Sequence, residues 1–150
     1  MTCEVWFYHL ERSSLDEVLP ELLERTLARG WRAVVRGTDR ERLEQLDDRL
    51  WTWKPESFIG HALDDAPEPE RQPVLLTDTV GAPTNCADAL FLVDDAEPGE
   101  LEPFARCLIL FDGRDEAAVK AARARWRTVK TAGHPVSYWK QAERGWEKQA

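Results

Sequence analysis

The sequence predicts a single α/β domain, a three-layer sandwich with a mostly parallel sheet and helices on both faces, Rossmann-like but without a nucleotide site. Three observations predict it. Short apolar runs bounded by turn residues alternate with stretches whose leucines recur at helical spacing. The runs at 73–77, 89–93 and 107–111 are continuously apolar, as in strands covered on both faces. The chain has 150 residues, 43% hydrophobic against 32% charged, enough for one core and too apolar for disorder. Residues 1–150 are expected to form one domain, with 141–150 as a C-terminal extension.

Glu4 to His9 (EVWFYH) is short, aromatic and β-prone, and reads as the first strand. Ser14 with Glu17 matches a capping box and opens a helix. Leu15, Val18, Leu19, Leu22, Leu23 and Leu27 form its buried stripe, and Gly30 is its stop. Trp31 to Val35 reads as the second strand. Thr38 with Glu41 matches another capping box, opening a helix with Leu43, Leu46 and Leu50 inward. Trp51 to His61 contains Pro55 and is expected to be irregular or a short strand. Ala62 to Gln72, rich in Asp, Glu and Pro, is expected to be an exposed loop. The three apolar runs follow as buried strands, with a helical turn expected within Ala96 to Phe104. Asp112 is read as the N-cap of a helix over Arg114 to Lys130, ended by Gly133. His134 to Trp139 is read as a strand or extended arm, and the last residues as a short helix or a frayed end.

Charge is unevenly distributed. The formal net charge is -8, yet residues 112–150 hold 9 Lys/Arg against 5 Asp/Glu, a balance of +4. Residues 1–111 hold 11 against 23, a balance of -12. On a helix, Lys120, Arg123, Arg127 and Lys130 fall at i, i+3, i+7 and i+10 and share a face. Ala118, Val119, Ala122, Trp126 and Val129 form an adjoining apolar stripe. The plain reading is a solvated helix face; the competing one is a ridge built for an acidic partner. The overall charge argues against duplex DNA and an anionic membrane as direct partners.

Motifs for chemistry are missing. The turn after the first strand, HLERSS, has no glycine to let backbone approach a pyrophosphate, and no Walker A pattern occurs. Residues 77–85 (TDTVGAPTN) contain a single Gly and no Lys. His9, His61 and His134 lie near no recognised nucleophile motif and read as structural or surface residues. The carboxylate pairs Asp47-Asp48, Asp64-Asp65 and Asp94-Asp95 lack supporting ligands and read as solvated surface. Cys3, Cys86 and Cys107 are odd in number and widely spaced, so neither a disulfide framework nor a zinc site is expected, and Cys3 and Cys107 are expected in the core. No metal and no cofactor is expected. The first residues lack the signal-peptide pattern and no apolar run is long enough for a membrane span, so a reducing cytoplasm is expected. Trp51, Trp53 and Phe58 surround a proline and read either as core or as a partner-docking patch.

At these two clusters the chain resembles the chi subunit of bacterial DNA polymerase III. Leu50 to His61 (LWTWKPESFIGH) is similar to that family's LW-x4-ESF-x2-H signature. A second match is ARARW, Ala122 to Trp126, with Ala132-Gly133 and Tyr138-Trp139-Lys140. Gly60 stands where the family has Pro, and the 62–72 loop is acidic rather than Gly-rich. The resemblance implies a non-catalytic clamp-loader accessory protein in DNA replication that binds no nucleotide. It implies two partners: the psi subunit, facing Trp51, Phe58 and His61, and the acidic, Phe-terminated C-terminal tail of single-stranded DNA-binding protein. The tail site would comprise Lys120, Arg123, Trp126, Arg127 and Lys130, with Trp126 and Trp139 walling an apolar notch. The rival readings are a small α/β nucleotide-dependent enzyme and a direct single-stranded nucleic-acid binder using the basic ridge and Trp stacking.

Overall fold

The computed structural model describes residues 3–53 and 59–149. In chain order the elements are β1 (Glu4–Leu10), α1 (Leu15–Ala28), β2 (Ala33–Arg36), α2 (Arg40–Thr52), β3 (His61–Leu63), a 3-10 turn (Pro69–Arg71), β4 (Val74–Thr77), β5 (Ala89–Leu92), β6 (Arg106–Asp112), α3 (Glu116–Thr131), β7 (Val136–Gln141) and β8 (Trp146–Lys148). The strands form one 8-stranded sheet in the order β3-β4-β2-β5-β6-β1-β7-β8. Every pairing is parallel except β7 with β8, which are antiparallel. The expected α/β sandwich is the observed fold.

The two layers of the core follow from strand alternation. Tyr8 and Leu10 of β1 and Leu108 and Leu110 of β6 pack beneath α1 and α2, against Val18, Leu19, Leu22, Leu23, Leu43, Leu46 and Leu50. Val5 and Phe7, with Cys107 and Ile109, face the other way, against Ala122 and Val129 of α3 and against Leu101 and Phe104. Cys3 and Cys107 are buried, and burial pushes the Cys3 thiol up to about 11. The α1 start agrees with the expected capping box: Glu17 accepts from the Ser14 amide at 3.2 Å and from its hydroxyl at 3.1 Å.

Other boundaries differ from the sequence reading. The N-cap of α2 is Asp39, not Thr38; its carboxylate accepts from the Glu41 amide at 3.0 Å. The N-cap of α3 is Asp115, which accepts from the Ala117 amide at 3.0 Å. Asp112 instead ends β6 and accepts from the Arg114 amide at 2.9 Å, making the turn that precedes the helix. A carboxylate stronger than a hydroxyl as an acceptor, one residue closer to the helix, decides the first case. Trp51 and Thr52 continue α2 rather than entering a loop. His61, Ala62 and Leu63 pair with Val74, Leu75 and Leu76 as an edge strand, so only part of the acidic 62–72 segment is loop. The 96–104 segment holds a hydrogen-bonded turn, the Phe104 amide donating to Leu101 O at 3.0 Å, and no helix. Residues 146–148 form a strand rather than a short helix or a frayed end: β8 pairs with β7 after a turn at Gly145, whose φ of 77° suits glycine.

One buried cation ties the loops beyond β2. Arg36 is 2% exposed, yet its guanidinium enters no ion pair with a described residue. It donates instead to the carbonyls of Thr79 and Gly81 at 3.1 Å each, Glu97 at 3.1 Å and Pro98 at 2.7 Å. Burial holds its pKa below the ordinary arginine value. Arg36→Met should therefore strand these carbonyls and cost about 3 kcal/mol, read as a lowered urea midpoint. Lys at this position should rescue little, because a single ammonium cannot reach both loops.

Candidate partner-docking surfaces

Helix α3 lies across β6, β1 and β7 with Ala122 and Val129 beneath it. Trp126 is half-buried at the rim. Its ring meets Phe7 edge-on at 5.4 Å between centroids and Tyr138 at 5.9 Å. Lys120, Arg123, Arg127 and Lys130 lie exposed on the helix beside it. Lys130 Nζ stands 5.8 Å from the Trp126 ring centre. None of these four cations enters an ion pair with a described residue; the helix's ion pairs belong to Arg125. Arg125, only 20% exposed in its side chain, donates to Asp95 at 3.0 Å and lies 4.0 Å from Glu97. One basic helix thus carries a tied arginine and a row of unpaired cations.

The structure places Trp139 away from this row. In β7 alternate residues go to opposite layers: Val136 and Tyr138 pack with α3, whereas Trp139 packs in the α1 layer, 5.5 Å from the Trp6 ring. Trp139 therefore does not wall a notch with Trp126; the aromatic partner is Tyr138. The period of two along a strand was the signal that could have identified it. The Tyr138 hydroxyl lies 2.6 Å from His9 Nδ1, and His9 Nε2 lies 3.1 Å from Glu11, which also meets Lys140 at 3.4 Å. Burial raises the pKa of the Tyr138 hydroxyl, and the nearby Arg123 charge offsets part of that rise. A Cβ on Gly113 would collide with the His9 ring, so a glycine there leaves room for that ring beside Tyr138.

The second cluster lies at the end of α2. Trp51 is 55% exposed and lies over His61, with ring centres 4.4 Å apart. His61 is buried; Nδ1 lies 2.6 Å from Ile59 O and Nε2 lies 3.1 Å from Asp47 Oδ1. Burial holds the Asp47 carboxyl above its usual range, with His61 pulling the other way. Trp53 packs against the main core. Phe58 lies outside the described residues, so of this trio the structure brings together Trp51 and His61.

A third feature occupies the place where parallel α/β sheets bind ligands, the crevice beyond the C-terminal ends of the strands. A cavity of about 500 Å³ lies there, lined by Leu10, Ser13 and Ser14 before α1, and by Asp112 and Ala118 at the start of α3. The backbone amides that would face a phosphate are already engaged. Those of Glu11, Arg12 and Ser13 all donate to Gln141 Oε1, at 3.1, 2.7 and 3.0 Å. The Ser14 amide donates to Glu17. The facing side chains are paired as well: Arg42 with Asp94 at 3.4 Å, Arg114 with Asp112 at 3.0 Å, and Arg125 with Asp95. No group of His, Cys, Asp and Glu able to hold a metal occurs among the described residues. Nor is any described helix long and apolar enough to cross a membrane.

Comparison with known proteins decides the family. Residues 1–137 match the family model described as DNA polymerase III chi subunit, HolC. The chain belongs to this family. The DNA polymerase III subunit chi of Pseudomonas aeruginosa is 31% identical over 122 residues, covering 80% of this chain and 82% of the relative. The probable DNA polymerase III subunit chi of Rickettsia prowazekii is 26% identical over 112 residues, covering 70% and 67%. Among solved structures, the C-terminal domain of the DEAD-box protein Dbp5 superimposes with a TM-score of 0.56 over 91% of each chain. At 12% identity that likeness shows the fold alone. Membership in the chi family makes the chain a DNA polymerase III subunit acting in DNA replication.

The two classes of arginine on α3 should separate in a stability measurement. Arg125→Ala breaks the Asp95 contact and should cost up to about 1 kcal/mol, the ceiling for a pair with one exposed partner. Arg123→Ala should leave the thermal midpoint unchanged within about 0.5 kcal/mol, as surface changes do.

Proposed function

We propose that this chi-family chain is a non-catalytic adaptor. It joins the DNA polymerase III clamp loader, through psi, to the acidic C-terminal tail of single-stranded DNA-binding protein. The observation that carries the reading is the row of four exposed cations without acidic partners beside the Trp126–Tyr138 rings. A peptide carrying several carboxylates and a terminal Phe matches that combination. Arginine forks give bidentate contacts to carboxylates, a main-chain terminus included. The ring pair offers an apolar seat for the phenyl group. The Gln141 side chain, seated in the amides after β1, supports the non-catalytic part: it stands where a nucleotide phosphate would have to go. Trp51, exposed over His61, supports a psi-facing surface at the end of α2, far from α3 along the sheet.

The test is fluorescence anisotropy with a labelled acidic peptide ending in Phe. Arg123→Glu should weaken binding by about tenfold or more, since a charged hydrogen bond contributes roughly 1.5–3 kcal/mol. Arg125 is no neutral control because it holds Asp95. Arg71→Glu makes the same charge change beyond the opposite half of the sheet and should have little effect. Equal loss from Arg71→Glu and Arg123→Glu would mean net charge alone, and the site would be wrong. Binding should also weaken from low to moderate salt without vanishing, because exposed charges are screened over about 10 Å at 0.1 M while the phenyl contact is not.

The psi surface has its own test. Trp51→Ala should weaken a purified psi partner by roughly 30-fold, the effect of an anchor of about 2 kcal/mol, and leave peptide binding intact. Loss of both activities with a lowered thermal midpoint would assign Trp51 to folding instead.

A further inference from the structure

On the α1 side of the sheet, away from the α3 row, arginines and indoles enclose a small pocket. Arg106, the first residue of β6, stacks its guanidinium 3.9 Å from the Trp6 ring centre and lies 5.2 Å from that of Trp31. Arg29, at the end of α1, stacks on Trp31 at 4.2 Å. Together with Arg25, Thr26 and Tyr8 they line a pocket of about 160 Å³.

The charge in this pocket is not balanced. The Arg106 side chain is 15% exposed, and the acid nearest it among the described residues, Glu4, is 3.9 Å away, half in solvent and shared with Trp6 Nε1, from which it accepts at 3.3 Å. Its Nε is buried and, among the described residues, has no hydrogen-bond partner. Burial, followed by the nearby Arg29 charge, holds its pKa below the usual arginine value. Arg25 pairs outward with Glu21 at 3.0 Å, on an exposed stretch of α1. Indole faces hold the guanidinium planes in place without neutralising them. A buried donor, a like-charged neighbour and preset planes are what a carboxylate requires and what water satisfies poorly.

We infer that this pocket binds a carboxylate of an acidic protein segment, held by Arg106 and Arg29 between Trp6 and Trp31. An extended nucleic-acid strand fits less well. The pocket is small, and residues 1–111 around it carry 23 acidic against 11 basic side chains, which would repel a polyanion beyond the pocket. The site is separate from the α3 row, because Trp6 and Arg106 face α1 while Trp126 faces the other layer. It does not depend on the proposed function.

The experiment uses the full chain carrying Arg123→Glu, so that the α3 row is disabled. The probe is an N-acetylated, amidated tetra-aspartate peptide, titrated at low salt and followed by ¹⁵N NMR. The indole Nε1–H signals of Trp6 and Trp31 and the Arg106 Nε–H signal should shift together and saturate. Arg29→Glu, at an exposed helix end where folding is not at stake, should weaken the effect at least about tenfold. Arg29→Gln should weaken it less. Signals that stay fixed up to millimolar peptide would overturn the inference. So would an equal response in Arg29→Glu, or a response to sodium sulfate or oligo-dT without one to the peptide.

Discussion

Strand β1 sets the geometry of both aromatic sets, beside the cations of α3 and beside Arg106. It lies between β6 and β7, parallel to both, with Phe7 opposite Ile109 on one side and Tyr138 on the other. Because side chains alternate, each step along it changes layer. Phe7 and His9 support Trp126 and Tyr138 beneath α3. Trp6 and Tyr8 hold Arg106, Trp139 and Trp146 beneath α1. A slip of one residue in this register would exchange the two aromatic sets and bring Trp139 to α3. The register is protected from both sides: buried apolar residues on each face forbid the exchange, and parallel partners on both edges leave no free edge along which to slide.

The end of β1 explains why a sheet of this type can serve a purpose other than nucleotide binding. In a nucleotide-binding domain the turn here is glycine-rich, and its amides meet a pyrophosphate. In this chain the turn is HLERSS, and three successive amides converge on the amide oxygen of Gln141. Gln141 Nε2 in turn donates to the Ser13 hydroxyl at 2.9 Å, which fixes the side-chain orientation. The concavity that would bind an anion is filled from β7, at the other edge of β1. Arg36 obeys the same principle with the sign reversed, a buried cation satisfied by four neutral carbonyls rather than by an ion.

Both contacts were illegible in the sequence, for the same reason. Gln141 is about 130 positions from the amides it caps, and Arg36 reaches carbonyls more than 40 positions away. Local pattern has no access to such pairings. The parts that were legible are those in which a short-range signal decides. Leucine spacing identified α1 and α2, continuous apolar runs identified β4, β5 and β6, and the i, i+3, i+7 spacing aligned the cations of α3 on a single face. Errors arose where two local signals competed. Thr38 and Asp39 are both capping residues, and the better acceptor prevailed. Asp112 and Asp115 both precede α3, and the one adjacent to the helix capped it while the other made the turn. β3 and β8 are edge strands of three residues, too short for any period to show.

The arginines show how a surface for a partner can be told from one that serves the fold. In this acidic chain seven of the fifteen arginines pair with acids among the described residues. Arg40 meets Asp64 at 2.6 Å and Asp65 at 2.8 Å; Arg42 meets Asp16 at 2.8 Å and Asp94; Arg125 meets Asp95. Two of the three carboxylate pairs that looked like solvated surface, Asp64-Asp65 and Asp94-Asp95, are the other halves of these clamps. Asp64 shows the outcome: burial alone would raise its pKa, but hydrogen bonds from Thr77 and Arg40 outweigh burial and hold it below the ordinary range. Against that background, two groups stand out on opposite sides of the sheet: the unpaired cations of α3, and Arg29 with Arg106, whose nearest acid, Glu4, is 3.9 Å away. On α3 they are long, exposed and beside a half-buried ring pair, a geometry for a flexible segment that brings several charges. On the other side an exposed Arg29 and a mostly buried Arg106 are stacked on indoles, a geometry for one carboxylate at a time. Excess charge in a protein with acids to spare is better evidence of an external partner than the same charge would be in a basic protein, because internal neutralisation was available and was not used.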